Sequence, residues 1–402
     1  MTRHLLKLVW NRKRSNALMI LEICVSFLVV FVVATLGLFF LDNYRLPLGF
    51  EWKNAWNVHV GLGRSEAGAN PSGDFAAQQA VYARLLQEVR AMAPVEAVAG
   101  SWVVPFDQGG MSSTYDVNGR KVDMDADVVT VGFDKATGLD LVAGRWFEEA
   151  DASQAWAPVV IDQDLARTVY GAADPVGKNL FDPRPGERPF RVVGVVRDFR
   201  KGGELMPNGN FIFRFASLDH PDGGPLRNLL IRVRPGTPAA FEEALVKRMQ
   251  QVAPDWSFEV RPLPQVRATS FLFFLTPLIV AGTVAFFLLL MVGLGLIGVL
   301  WQNLLQRTRE IGLRRAAGAS RAAVHRQVLL EQIVLTSLGV LIGTLLVIQV
   351  PILHLIGVLS NRVLTAGLLA AMAAMYLLSV LCALYPSALA SRVQPAEALR
   401  YE

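Results

Sequence analysis

Apolar residues fill four long stretches of the chain and are spaced out everywhere else. Residues 17–41, 271–301, 328–357 and 363–389 are each as long as the roughly 20 apolar residues that a helix needs to cross a bilayer core, or longer. The second and fourth contain no Asp, Glu, Lys or Arg; the first carries only Glu22, and the third only Glu331 and His354. Between the first and second stretches the pattern changes. Residues 57–60, 98–104, 228–233 and 257–260 read as strands, and 76–92 has helical composition. Thr237 is placed to cap a helix with Pro238 at its first position. Phe241, Leu245, Met249 and Val252 then recur at helical spacing, which predicts one core-facing stripe. A β-α-β pattern near each end of this region predicts two related lobes packed together. The middle, 109–206, is turn-rich, with short strands at 115–119, 127–131 and 190–196. Gly202, Gly203, Pro207 and Gly209 make 198–210 a loop.

The fold class that follows is an α-helical membrane protein with four transmembrane helices, one and then three. A large mixed α/β domain, 42–270, is inserted between helices 1 and 2. Charge sets the orientation. Arg3, Lys7, Arg12, Lys13 and Arg14 precede the first span, and Arg307, Arg309, Arg314, Arg315, Arg321 and Arg326 separate the second from the third. Arg392 and Arg400 follow the fourth. Alternating sides puts all three clusters on one face, and the positive-inside rule makes that face cytosolic. Segments 1–16, 302–327 and 390–402 are then cytosolic, whereas 42–270 and the short turn 358–362 lie outside. The first span is longer than a signal-peptide apolar core and lacks small residues at a cleavage position, so it reads as a retained anchor.

Composition narrows the function. The chain is 52% hydrophobic and 18% charged, too apolar for a set of soluble domains, and its net charge of +5 is absorbed by membrane orientation rather than by nucleic acid. Cys24 and Cys382, the two cysteines, both fall within predicted spans, so neither a disulfide framework nor a cysteine metal site is expected. The stretch from Gly171 to Asn179 imitates a phosphate-binding loop. It has Ala172 where a glycine is required and Asn179 where Ser or Thr is required, and it lies on the wrong side of the membrane for ATP. Glu22 and Glu331 lie near the cytosolic ends of their helices, which favours anchoring or pairing over proton relay. His354 reads as interfacial. Gly293, Gly295 and Gly298, and the pair Gly339 and Gly343, are spaced for close helix approach and are candidates for a dimer seam. Trp52, Trp56 and Trp102 read as interface or core residues.

Motifs in both the membrane part and the outer domain carry a family resemblance. Arg309-Glu310-Ile311-Gly312-Leu313-Arg314-Arg315-Ala316-Ala317-Gly318-Ala319-Ser320 resembles the cytosolic segment of MacB/FtsX-type ABC transporter permeases. Tyr385-Pro386, followed by Gln394-Pro395-Ala396-Glu397-Ala398-Leu399-Arg400-Tyr401-Glu402, resembles their C-terminal ending. Pro158–Asp162, Asp174–Lys178 and Phe190–Val196 look like the MacB periplasmic core domain. The likeness extends over essentially the whole chain.

The resemblance implies a dimeric, non-catalytic permease of the bacterial inner membrane, its large domain in the periplasm. Its function would be to convert cytosolic ATP hydrolysis into periplasmic movement, or mechanotransmission, for efflux of a hydrophobic or peptide-like substrate. Arg309, Glu310, Ile311, Gly312, Arg314, Arg315, Gly318 and Ala319 would form the ATPase-coupling helix, and Pro395, Glu397, Ala398, Leu399 and Arg400 the tail motif. MacB proteins fuse an ATPase ahead of the first span. Here about sixteen residues precede Ala17, so a separate ABC ATPase is implied, with ATP and Mg bound there and no cofactor or metal in this chain. The other implied partners are a second permease copy or paralogue, a periplasmic adaptor, an outer-membrane channel and the lipid bilayer. Two alternatives share the architecture: a lipoprotein-releasing permease, and an FtsX-like signal transmitter controlling a cell-wall hydrolase.

Overall fold

The computed structural model describes residues 13–62, 71–117, 119–181, 188–217, 226–306, 313, 320–352 and 359–390. The chain divides into two compact units, Asn43–Phe274 and the remainder.

The membrane unit is built from α1 (Lys13–Tyr44), α6 (Leu263–Gln306), α7 (Arg321–Ile352) and α8 (Asn361–Ala390). Among the described residues these four are long and apolar enough to span a bilayer. Met19, Ile23, Phe27 and Phe31 of α1 pack with Val292 and Leu296 of α6, Leu335 and Val340 of α7, and Ala371 and Met375 of α8. Leu294, Leu369 and Leu377 are exposed, as side chains facing lipid would be. In a bilayer the apolar effect does not drive helices together, so close packing and interhelical hydrogen bonds must do it. Glycines supply the first. A side chain on Gly339 would strike Ile23, one on Gly343 would strike Phe27, and one on Gly367 would strike Thr35. The Gly339/Gly343 notch is therefore occupied within the chain, by α1, and does not serve as the dimer seam expected from its spacing. The second comes from α7 and α8, where the Thr336 and Ser379 hydroxyls are 2.8 Å apart and Ser337 lies 3.0 Å from the Tyr376 hydroxyl.

The other unit is organised around one ten-stranded sheet. Its elements are β1 (Ala55–Gly61), α2 (Pro71–Arg90), β2 (Val95–Ser101), β3 (Met111–Val117), β4 (Arg120–Val129), α3 (Phe133–Thr137), β5 (Leu141–Gly144), β6 (Ala157–Asp162), α4 (Gln163–Tyr170), β7 (Phe190–Val196), β8 (Phe211–Phe215), β9 (Asn228–Val233), α5 (Phe241–Val252) and β10 (Ser257–Pro262). The strand order is β10-β1-β9-β2-β4-β8-β6-β7-β5, with β3 paired to β4. The expected separation into two lobes is corrected by this order. β9 lies between β1 and β2, and β1 lies between β9 and β10, every contact antiparallel, so the two β-α-β units interlock into a split β-α-β sheet.

Alternation along the strands explains why the interlock is stable. Trp56, Val58 and Val60 of β1 and Leu229, Ile231 and Val233 of β9 share a cluster with Leu85 and Val89 of α2 and with Phe241, Leu245 and Met249 of α5. Ala55, Ala99 and Leu230 belong to a second cluster, with Phe133, Phe199, Phe211 and Phe213. The start of α5 also differs from expectation. The helix begins at Phe241, after a turn in which the Phe241 and Glu242 amides donate to the Pro238 and Ala239 carbonyls. Thr237 donates its hydroxyl backwards to the Arg234 carbonyl at 2.7 Å instead of capping the helix. These tight three-residue bonds satisfy donors that a cap would otherwise have served.

Candidate functional site

The coupling residues Arg309, Glu310, Ile311, Gly312, Arg314, Arg315, Gly318 and Ala319 lie outside the described residues, as do Pro395, Glu397, Ala398, Leu399, Arg400 and His354. Within the cassette Leu313 is described; it is helical and 61% exposed. From Arg321 onward the chain is helical, and Ser320 precedes that helix with its hydroxyl accepting from the Ala323 amide at 3.2 Å. Glu331 sits one turn above Gln327, whose amide donates to it at 3.2 Å. Glu22 lies against Gly295, where a side chain would come within 3.2 Å of its carboxylate. Both acidic residues therefore face neighbouring groups near the cytosolic ends of their helices.

Deeper in the bundle Gln332 is 1% exposed, and neither its amide oxygen nor its nitrogen has a hydrogen-bond partner among the described residues. In an apolar surrounding this is expensive, because the water that would satisfy the group is absent.

In the soluble unit the quoted motifs have structural explanations. Asp162 ends β6 and caps α4, its Oδ1 accepting from the Leu165 amide at 2.9 Å and from the Phe211 amide of β8 at 3.1 Å. One carboxylate thus fastens a helix start to a neighbouring strand. Burial nonetheless pushes its pKa up to about 7. The imitation phosphate loop is an Asp-initiated turn. Asp174 accepts from the Val176 amide at 3.0 Å, and Gly177 adopts φ +82°, which a residue with a Cβ rarely does. The loop lies along β7 through Gly177 N to Val192 O at 2.8 Å and Val192 N to Lys178 O at 2.9 Å.

Asp127 of β4 is a second buried carboxylate. Its Oδ1 accepts from the Trp102 and Val103 amides at 3.1 and 3.0 Å, and burial pushes its pKa up to about 7 as well. Trp56 is buried against Phe241, whereas Trp102 is exposed.

A cluster that sequence reasoning missed sits in the 198–210 loop. Arg200 is 2% exposed, and its guanidinium donates to the carbonyls of Leu46, Glu204 and Met206. Glu204 accepts from Arg267 Nε at 2.6 Å. Nothing in the spacing of these charges signals the arrangement, because the loop reads as solvated.

Comparison with known proteins matches this architecture. The family model of the MacB-like periplasmic core domain matches residues 17–248, and that of the FtsX-like permease C-terminal region matches residues 282–395. The macrolide export ATP-binding/permease protein MacB of Bordetella avium is 26% identical over 355 residues, covering 85% of this chain and 52% of that protein. The probable syringafactin export ATP-binding/permease protein SyfD of Pseudomonas syringae pv. tomato is 28% identical over 293 residues, 70% of this chain and 43% of that one. The chain thus spans about half the length of these relatives, or less. The periplasmic region of MacB from Actinobacillus actinomycetemcomitans aligns over 54% of this chain and 92% of its own, at 18% identity and a TM-score of 0.36. Four apolar helices with a MacB-like periplasmic domain between the first and second describe a multi-pass inner-membrane protein. The chain belongs to the MacB-like, FtsX-like family of ABC transporter permeases.

Proposed function

We propose that the chain is the permease of an ATP-driven, MacB-like system that expels a hydrophobic or peptide-like molecule from the periplasm. The observation that carries this reading is the pair of family matches, one covering the first span and most of the outer domain, the other running from within the second span through the third and fourth. A bundle joined to a large outer domain suits a device that moves mechanically rather than one that reacts chemically. In this reading ATP and Mg bind a cytosolic ABC ATPase subunit, and the segment from Arg309 to Ala319 receives its movement. A second copy or a paralogue completes the permease, and a periplasmic adaptor with an outer-membrane channel carries the product onward. The relatives named for export of macrolides and of syringafactin support efflux over lipoprotein release and over signalling to a cell-wall hydrolase.

The test is affinity purification of the chain from its own membranes in mild detergent, with identification of the co-purifying proteins. An ABC ATPase recovered with an adaptor supports efflux. Recovery of a hydrolase activator or a soluble lipoprotein carrier in place of the adaptor would replace efflux with the corresponding alternative. Recovery without any ATPase would overturn the ATP-driven reading.

A further inference from the structure

We propose that Arg200, Glu204 and Arg267 form a clasp holding together the segment that enters the periplasmic domain and the segment that leaves it. Through this clasp, movement of either would be passed to the sheet. The inference rests on the ATP-driven reading above and assigns these three residues as positioning residues within it.

The entering segment, 43–50, follows the first span in the chain; the leaving segment is the opening of α6. Both are reached from the 198–210 loop. On the entry side, Arg200 Nη1 donates to the Leu46 carbonyl at 2.9 Å and its backbone amide donates to the Leu48 carbonyl at 3.0 Å. Asn43 donates to the Leu205 carbonyl at 3.4 Å. On the exit side, Glu204 pairs with Arg267. The Arg267 guanidinium also lies over two rings, 4.5 Å from the Trp52 centroid and 4.7 Å from that of Phe271. Phe271 in turn meets Tyr44 edge-on, 6.3 Å between centroids. Entry, loop and exit are therefore joined by charge-assisted hydrogen bonds and stacked planes, contacts that demand a defined geometry.

The chemistry favours a positional role over a stabilising one. Arg200 Nε and Glu204 Oε2 are buried and lack hydrogen-bond partners among the described residues. Buried ions with unfilled valences return little net stability compared with an apolar cluster of equal volume, whereas their directional bonds fix relative position. Gly203, at φ +88°, makes a left-handed turn between Arg200 and Glu204 that a residue with a Cβ rarely adopts.

The test uses the full chain with its co-purified ATPase in lipid nanodiscs. Cys24 and Cys382 are replaced by alanine, and spin labels are attached to cysteines at exposed Lys121 and Thr365. The label distance is measured by electron double resonance without nucleotide and with Mg-ATP and vanadate, and ATP hydrolysis is measured in parallel. The unsubstituted clasp is expected to give a nucleotide-dependent shift. Glu204→Gln and Arg267→Gln should lose most of it while hydrolysis continues, and Arg267→Lys should recover part. Trp52→Leu removes a stacking partner without touching the charges, and should also reduce the shift if a charge variant fails to fold. A full shift in the folded charge variants, or in Trp52→Leu, overturns the clasp alone. No shift in the unsubstituted protein overturns the ATP-driven reading and the clasp with it.

Discussion

Phe27 of the first transmembrane helix fills the notch left by Gly343 of the third, and one turn earlier Ile23 fills that of Gly339. A Cβ on Gly339 would come within 2.6 Å of the Ile23 Cγ2 atom, far inside contact distance.

Gly339→Ala and Gly343→Ala should therefore each destabilise the bundle by about 1–3 kcal/mol, the usual cost of overfilling a packed site. Gly298 has open space around it, so Gly298→Ala should be neutral or mildly stabilising. Unfolding in mixed micelles at increasing SDS fraction measures all three. Equal transitions for the Gly339 and Gly298 variants would contradict the packing, and restoration of Gly343→Ala by Phe27→Leu would support it.

The periplasmic domain should grow less stable as the pH rises from 5 to 8. Asp127 and Asp162 are pushed up to about 7 by burial, so the folded form holds protons that the unfolded chain releases near pH 4. Their contribution is complete below the unfolded value and is lost as pH climbs through the folded one. A three-unit shift corresponds to at most roughly 4 kcal/mol per group. At each site both amide donors reach the same oxygen, Oδ1, so an asparagine keeps them. Asp127→Asn and Asp162→Asn should flatten the dependence of melting temperature on pH. Asp151 acts in the opposite sense. Burial raises its pKa, but the Arg145 fork at 2.6 and 2.7 Å and the Glu148 amide outweigh that and hold it low, so acidification weakens this corner.

Replacing Gln332 by leucine should stabilise the bundle by about 1–3 kcal/mol, because it removes two buried polar atoms that lack partners among the described residues. The adjacent Thr336→Val, which breaks the hydroxyl bond to Ser379, should cost only about 0.6 kcal/mol, typical of interhelical bonds in membranes. The same SDS titration separates the two, and a large loss in Gln332→Leu would mean that the amide has a partner in the membrane.

Glu310→Lys and Gly312→Trp should abolish stimulation of the partner ATPase while leaving insertion intact. Hydrolysis by the reconstituted complex is the readout, with protease accessibility of the periplasmic domain as the insertion control. Stimulation at the unsubstituted level in both variants would remove the coupling assignment from this cassette.

Much of the architecture was readable because it follows from uninterrupted apolar length and from period. Four helices announce themselves in this way, and the Phe241, Leu245, Met249 stripe marked the face of α5 that is buried. The interlocking of the two β-α-β units was not readable. Local pattern specifies that 57–60 and 228–233 are strands, but their adjacency is decided by which buried faces match across the domain. The clasp was hidden for a related reason. Arg200 reaches Leu46 across 154 positions and Glu204 reaches Arg267 across 63, and in a glycine-rich loop such charges look solvated. Thr237 misled because its sequence context fits a helix cap, while the helix itself starts only at Phe241 and the threonine hydroxyl turns back to the Arg234 carbonyl.

The pairing of Trp56 with Pro262 has a mechanical corollary. The first residues of β1 lie beside the last residues of β10, so the domain's two tethers leave from the same end of one antiparallel pair. Prying the tethers apart loads the rungs singly, like the teeth of a zipper. Drawing both the same way loads none of them and carries the domain along whole. The pairing of β1 with β10 is by itself compliant to spreading and stiff to common travel, and the clasp across the two tethers reinforces its weak direction.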